Sequence, residues 1–171
     1  SLNLLGYSSI KYLNSKTFRH IISNKLIVCD HPWNYSKDIS KDIENIPIWI
    51  VNWLKKKYLV NKKSSFSGPK KIYIDRSDSK SNLKDERKIM NESELISFLK
   101  KKDYIPIRLS ELEFDEQISL FNNAEYIIGL HGAGLSNIVW CNSKTKVLEI
   151  NNIDGTRMYE NLSKNLDLNY K

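Results

Sequence analysis

Cysteine is scarce in this 171-residue chain, with Cys29 and Cys141 alone. Neither has a CxxC neighbour or metal-ligand spacing, so no zinc site or other metal centre is expected, and two reduced thiols is a simpler arrangement than one disulfide. No stretch approaches the roughly 18 consecutive apolar residues of a membrane-spanning helix. The opening Ser1-Leu2-Asn3-Leu4-Leu5 has no Met and no signal-peptide pattern, so the chain is expected to be a fragment of a longer one. The run Gly134-Leu135-Ser136-Asn137-Ile138 lacks the second glycine of a GxSxG nucleophile elbow, which argues against an esterase. A GxGxxG fingerprint after the first strand is also missing, which disfavours a Rossmann dehydrogenase. There is no internal repeat, and arginine is a minority cation, with five among the 27 basic residues.

What is present is a globular balance of 40% hydrophobic and 27% charged residues, with four Trp, nine Tyr and five Phe to fill a core. The formal net charge is +7, carried in short runs such as Lys55-Lys56-Lys57 and Lys100-Lys101-Lys102. Such a charge fits an anionic partner, whether nucleotide, nucleic acid or an anionic membrane surface, and leaves peripheral membrane association open. It equally fits solvated helix ends, where lysine suits the macrodipole. The runs are scattered and lack an aromatic-basic pattern, so no nucleic-acid partner is expected. A non-catalytic nucleotide- or nucleic-acid-binding module is kept as the alternative to an enzyme.

The polar segment 61–71, closing on Gly68-Pro69, divides the chain. Residues 1–60 are expected to form a partial N-terminal, acceptor-side lobe, with a strand at Lys25 to Cys29 and a helix over Ile46 to Leu59. Pro47 suits the first turn of that helix, and Ile46, Ile50, Trp53, Leu54 and Tyr58 lie at helical spacing. Residues 72–171 alternate between strand and helix patterns. Strands are expected at Ile72–Asp75, Tyr104–Leu109, Tyr126–Leu130 and Val147–Ile150. Helices are expected at Asn91–Lys101, capped by Asn91 with Glu94 and striped by Leu95, Ile96, Phe98 and Leu99, then at Phe114–Asn123, from Gly134 to Trp140, and at Arg157–Asn165. The alternation predicts an α/β, Rossmann-like parallel sheet with helices on both faces.

The sharpest local feature is Ile127-Ile128-Gly129-Leu130-His131-Gly132-Ala133-Gly134-Leu135-Ser136-Asn137, a buried strand running into a glycine-rich turn and a helix. In open α/β sheets ligands sit at the carboxyl ends of strands, and a helix N-terminus offers unpaired N–H groups to a phosphate. Gly132, Ala133 and Gly134 let a phosphate approach the backbone, and His131 can add a hydrogen bond. The same glycines also suit a tight packing turn. Arg76 follows the first strand on the same sheet edge, and its planar fork matches phosphate oxygens. Arg87 follows in the loop beyond, and Glu149 near the end of the last strand can accept ribose hydroxyls.

In order, spacing and type these pieces resemble glycosyltransferase family 61: Arg76, Arg87, Asn91-Glu92, Glu116-Gln117, the run from Ile127 to Asn137, and Val147-Leu148-Glu149-Ile150. The resemblance covers about Ile72 to Tyr170, including Tyr159, Leu162 and Tyr170, and is weaker over His31-Pro32-Trp33 and Ile48 to Leu59. It implies a GT-B fold whose N-terminal lobe is incomplete here, and an inverting transfer from a nucleotide-diphosphate sugar, with a UDP-sugar favoured, to a glycan or protein hydroxyl. It implies no metal and no tightly bound cofactor. Surface polysaccharide or glycan synthesis is the expected setting, cytoplasmic or membrane-associated in a bacterium, Golgi or ER lumen in a eukaryote. Carried over, Arg76 and Arg87 neutralise the diphosphate. His131 with the Gly132, Ala133 and Gly134 backbone binds it. Asn137 braces the loop or the nucleotide, and Glu149 holds the ribose. Asn91, Glu92 and Gln117 shape neighbouring loops. The catalytic base belongs to the acceptor lobe, with Asp30 and His31 as candidates, so the fragment is expected to bind a donor even where it fails to catalyse.

Overall fold

The computed structural model describes residues 9, 11, 13–27, 36, 38–60, 66–77, 88–151 and 156–171. Two helices come first, α1 (Ile39–Ile43) and α2 (Ile48–Tyr58). Then follow β1 (Lys71–Asp75), α3 (Glu92–Lys100), β2 (Ile105–Arg108), α4 (Phe114–Asn123), β3 (Tyr126–Leu130), a 3-10 helix at Ala133–Trp140, β4 (Lys146–Ile150), α5 (Met158–Asn165) and β5 (Asn169–Tyr170). All strand pairs are parallel, in the order β2-β1-β3-β4-β5. This is the α/β sheet the alternation predicted. The chain leaves β1 for β2 on one side and returns to β1's other side for β3. That reversal opens a crevice beyond the carboxyl ends of β1 and β3, the place where such sheets bind ligands.

The two faces of the sheet are covered unequally. One face carries Ile72, Ile74, Ile127 and Val147, and α2, α4, the 3-10 helix and α5 pack into its cluster. The other carries Tyr73 and Ile128, which pack with Leu99, Leu95 and Ile96 of α3. Handedness explains the difference. A right-handed β1-α3-β2 crossover puts α3 on one face, and every later crossover runs the other way and falls on the opposite face. Toward β4 no described helix covers the α3 side, and Leu148 is 44% exposed.

The segment Ala133–Trp140 is 3-10 along its whole length rather than an ordinary α-helix. Its three-residue period puts Leu135, Ile138 and the following Cys141, all fully buried, on one line against the core. Burial pushes the Cys141 thiol up to about 12, against a smaller opposing pull from Lys55. The expected cap at Asn91 is not formed by its side chain. A reciprocal cap occurs instead at α4, where the Glu113 N–H donates to Glu116 Oε2 at 2.9 Å. Phe98 is 56% exposed and stands off the α3 stripe.

The first part of the chain departs most from expectation. Residues 25–27 form no strand, and Cys29 lies outside the described residues. Pro47 stands at the N-cap of α2, one position before its first turn. The helix buries Val51 and Tyr58, while Trp53 turns outward. Tyr58 meets Phe114 and Trp140 edge-on, at centroid distances of 5.4 and 5.7 Å. The Asn161 and Asn165 amides of α5 donate to the carbonyls of Glu44 and Ile46 at 3.0 and 3.2 Å. Thus α2, assigned from the sequence to the lobe before 61–71, packs into the core of 66–171. Among the described residues no helix is long and apolar enough to cross a membrane.

If α2 belongs to that core, Tyr58→Ala lowers the stability of the whole chain by about 3 kcal/mol, the usual cost of emptying a buried aromatic site. Urea unfolding followed by circular dichroism checks this. An unchanged midpoint would place α2 outside the cooperative unit.

Candidate diphosphate site at the β1–β3 crevice

β1 ends on Asp75, whose side chain is 10% exposed. Its carboxylate accepts from the Ser77 N–H at 2.8 Å and from Arg108 Nε at 3.1 Å. Burial works to raise its pKa, but these hydrogen bonds outweigh burial and hold it below the usual carboxylate value. The effect is a tight turn with Arg76 at its centre, tied to the end of β2 through Arg108. From that turn Arg76 Nη1 donates to the His131 carbonyl at 2.7 Å, bridging the ends of β1 and β3.

Gly132 makes that bridge sterically feasible. Its φ is +153°, a conformation other residues rarely adopt, and a Cβ there would lie 2.6 Å from Arg76 Nη1. The chain then enters the 3-10 helix, where the Leu135 N–H donates to the Gly132 carbonyl at 2.9 Å. The N–H groups of Ala133 and Gly134 precede that first bond, at positions where a 3-10 helix supplies no acceptor of its own. Ala133 is exposed and Gly134 half-buried. The guanidinium and the two amides thus supply positive electrostatic potential at the crevice.

The loop is braced from behind. Tyr159 Oη donates to the Gly132 carbonyl at 2.8 Å. Asn137 Nδ2 reaches Gln117 Oε1 and the Gly134 carbonyl, each at 3.3 Å, and Asn137 Oδ1 accepts from Trp140 Nε1 at 3.2 Å. Gln117 in turn donates to the Leu109 carbonyl at 2.9 Å. Of the two roles open to Asn137, its side-chain bonds go to the loop. Glu92, at the start of α3, accepts from Tyr73 Oη at 2.6 Å.

His131 is fixed on several sides. Its N–H donates to the Ile150 carbonyl at 2.8 Å. Its ring lies 5.4 Å from that of Tyr159, and Nδ1 is hydrogen-bonded to Glu149 Oε1. The other Glu149 oxygen accepts from Tyr170 Oη. Burial, then that bond, raises the Tyr170 pKa. The Glu149 side chain is 1% exposed. Glu149, expected to hold a ribose, has both carboxylate oxygens engaged within the protein, one by His131 and one by Tyr170.

The structure brings Arg76, His131, Gly132, Ala133, Gly134 and Asn137 together at one crevice, with Glu149 directly beneath His131. Arg87, Asp30 and His31 lie outside the described residues. The partners that sequence reasoning missed are Tyr159 and Tyr170 as hydrogen-bond donors, and Arg108. Tyr170 sits in a two-residue strand, too short for any periodicity to flag. A groove of about 580 Å³, lined by Tyr104, Tyr126, Lys146, Leu148 and Asn169 among others, opens at the other edge, where the strands begin. It is largely apolar; Tyr170 contributes to its lining, but Arg76, His131, Gly132, Ala133, Gly134, Asn137 and Glu149 do not.

A family model described as Glycosyltransferase 61 matches residues 8–148. The chain is also similar to EGF domain-specific O-linked N-acetylglucosamine transferases. It is 33% identical to that of Gallus gallus over 91 residues, half of this chain and 17% of that protein. It is 32% identical to that of Mus musculus over 89 residues, 49% of this chain and 17% of that protein. The Drosophila melanogaster protein is 26% identical over 88 residues, again half of this chain and 17% of its own length. The matched part is thus a small share of those relatives. With the family model matching well over half of its length, this chain belongs to glycosyltransferase family 61.

Proposed function

We propose that this chain is the donor-binding part of an inverting glycosyltransferase, and that the β1–β3 crevice holds the diphosphate of a nucleotide sugar. The observation that carries this is the Arg76 guanidinium packed against Gly132 and bonded to the His131 carbonyl, at the residue that opens the Ala133–Trp140 helix. In the transfer an acceptor hydroxyl attacks the anomeric carbon as the bond from that carbon to the diphosphate oxygen breaks. The electron pair leaves on the diphosphate, and the hydroxyl proton goes to a base. A preorganised guanidinium and backbone N–H groups stabilise charge developing on the leaving group without a metal ion. Asp30 and His31 stay the candidates for the base.

The relatives' names specify N-acetylglucosamine and EGF domains. A UDP-linked N-acetylhexosamine is therefore the first donor to test here, with a protein hydroxyl as the acceptor and the lumen of the secretory pathway as the setting. A glycan acceptor in polysaccharide synthesis is the second choice.

Calorimetric titration with UDP, GDP and CDP, with and without magnesium, tests the proposal. Binding of one nucleotide independent of magnesium is expected. Arg76→Ala should weaken it by about 1.5–3 kcal/mol, the scale of a hydrogen bond to a charged group. Equal affinity in a folded Arg76→Ala variant would remove Arg76 from the site. Gly132→Ala strains the backbone and displaces the guanidinium, so it should cost about 1–3 kcal/mol of stability and weaken UDP binding as well. Combined with Arg76→Ala it should weaken binding little further. Full UDP affinity in folded Gly132→Ala would show that the bridge across this glycine is irrelevant to binding.

A further inference from the structure

Glu149 and Tyr170 stand behind His131, linked to it through hydrogen bonds. Glu149 is in β4, with its side chain 1% exposed. Tyr170 is in β5 and half-buried. The register pairs Gly129 with Glu149 and Val147 with Tyr170, which puts Glu149 and Tyr170 on the face where His131 lies. Tyr170 donates its hydroxyl hydrogen to Glu149 Oε2, and Glu149 Oε1 meets His131 Nδ1. A carboxylate flanked in this way can only accept, so the hydrogen in the His131 contact sits on Nδ1. The backbone N–H and carbonyl of His131 are engaged by Ile150 and Arg76. Among the described residues Nε2 is the polar atom left over, on a side chain 19% exposed.

We propose that Glu149 and Tyr170 are positioning residues that hold His131 in its Nδ1–H form and thereby present Nε2 to the diphosphate beside Arg76. This rests on the diphosphate assignment, and it adds a consequence of its own. Nε2 donates to a phosphate oxygen only when the ring carries a second proton, so binding takes up a proton wherever the ring starts neutral. A buried carboxylate orienting a histidine in this way is common at functional sites, because it fixes both tautomer and ring plane. The charged and titratable groups around the ring, among the described residues, are Glu149 on β4, Tyr170 on β5, Arg76 after β1, and Tyr159 on α5. Glu160, also on α5, acts on Tyr170.

Two-bond proton–nitrogen spectra of the nucleotide-free chain read the tautomer directly. The wild type should show His131 protonated on Nδ1. In Glu149→Gln the Tyr170 hydroxyl still donates to the remaining carbonyl oxygen, so the amide N–H turns toward His131 and the ring moves to its Nε2–H form. Tyr170→Phe should keep the Nδ1–H form. At a pH where those spectra show the free ring to carry one proton, calorimetry of UDP binding in two buffers of different ionisation enthalpy should show proton uptake in the wild type and none in Glu149→Gln. UDP affinity in Glu149→Gln should fall on the order of tenfold. The same substitution in a His131→Ala background should cost nothing further, since a positioning residue acts through the histidine.

An Nε2–H tautomer in the wild type would overturn the proposal, as would additive losses in the double variant, which would mean that Glu149 touches the nucleotide itself. If the tautomers behave as expected but no variant binds UDP or inorganic pyrophosphate, the positioning stands and the diphosphate assignment falls.

Discussion

The Arg76 guanidinium spans the gap between β1 and β3 to reach the His131 carbonyl at 2.7 Å, and the other parts of the crevice are arranged around that contact. It needs a turn after β1 that directs Arg76 across the sheet edge, which the Asp75 carboxylate supplies through Ser77 and Arg108. It needs a residue without a Cβ at position 132. It also needs a 3-10 helix held rigidly enough to keep the Ala133 and Gly134 amides in place, which Tyr159, Asn137 and Gln117 provide. A cationic fork beside a helix start suits an anion with several oxygens better than a single carboxylate.

Topology places this contact where it can matter. Residues after β1 and β3 become neighbours only because β2 and β3 lie on opposite sides of β1. Among the described residues the same reversal leaves α3 alone on one face and masses α2, α4 and α5 on the other. His131, Glu149 and Tyr170 fall on the well-covered side, where a hydrogen-bonded carboxylate can be kept from water. An unpartnered one would be costly there, so both of its oxygens are satisfied.

Much of this was legible in the sequence. The apolar runs at 72–75 and 126–130 became the adjacent inner strands β1 and β3. Phe114, Ile118 and Phe121 marked α4, and all three pack into the core. The chemistry of Arg76 and the glycine turn could be placed on one edge because a parallel sheet aligns strand ends. Other features were hidden for physical reasons. In Val147-Leu148-Glu149-Ile150 apolar residues occupy both faces, so alternation could not show that Glu149 shares the buried face with Val147. Trp53 is larger than Val51 and drew the expected stripe of α2 outward, whereas the helix buries the valine. Asn91 is a good capping type, but capping depends on backbone geometry at the helix start, and its φ of −106° and ψ of 38° came without a side-chain bond.

The most direct test of the account is to follow backbone amide resonances of the chain while UDP is added. The account predicts that the largest shifts fall on Ala133 and Gly134, with the Arg76 side chain and His131 moving at the same UDP concentration, and that inorganic pyrophosphate perturbs the same group. Shifts centred instead on Tyr104, Tyr126 and Lys146 at the opposite edge of the sheet, or the absence of any shift at Ala133 and Gly134 under saturating UDP, would contradict it.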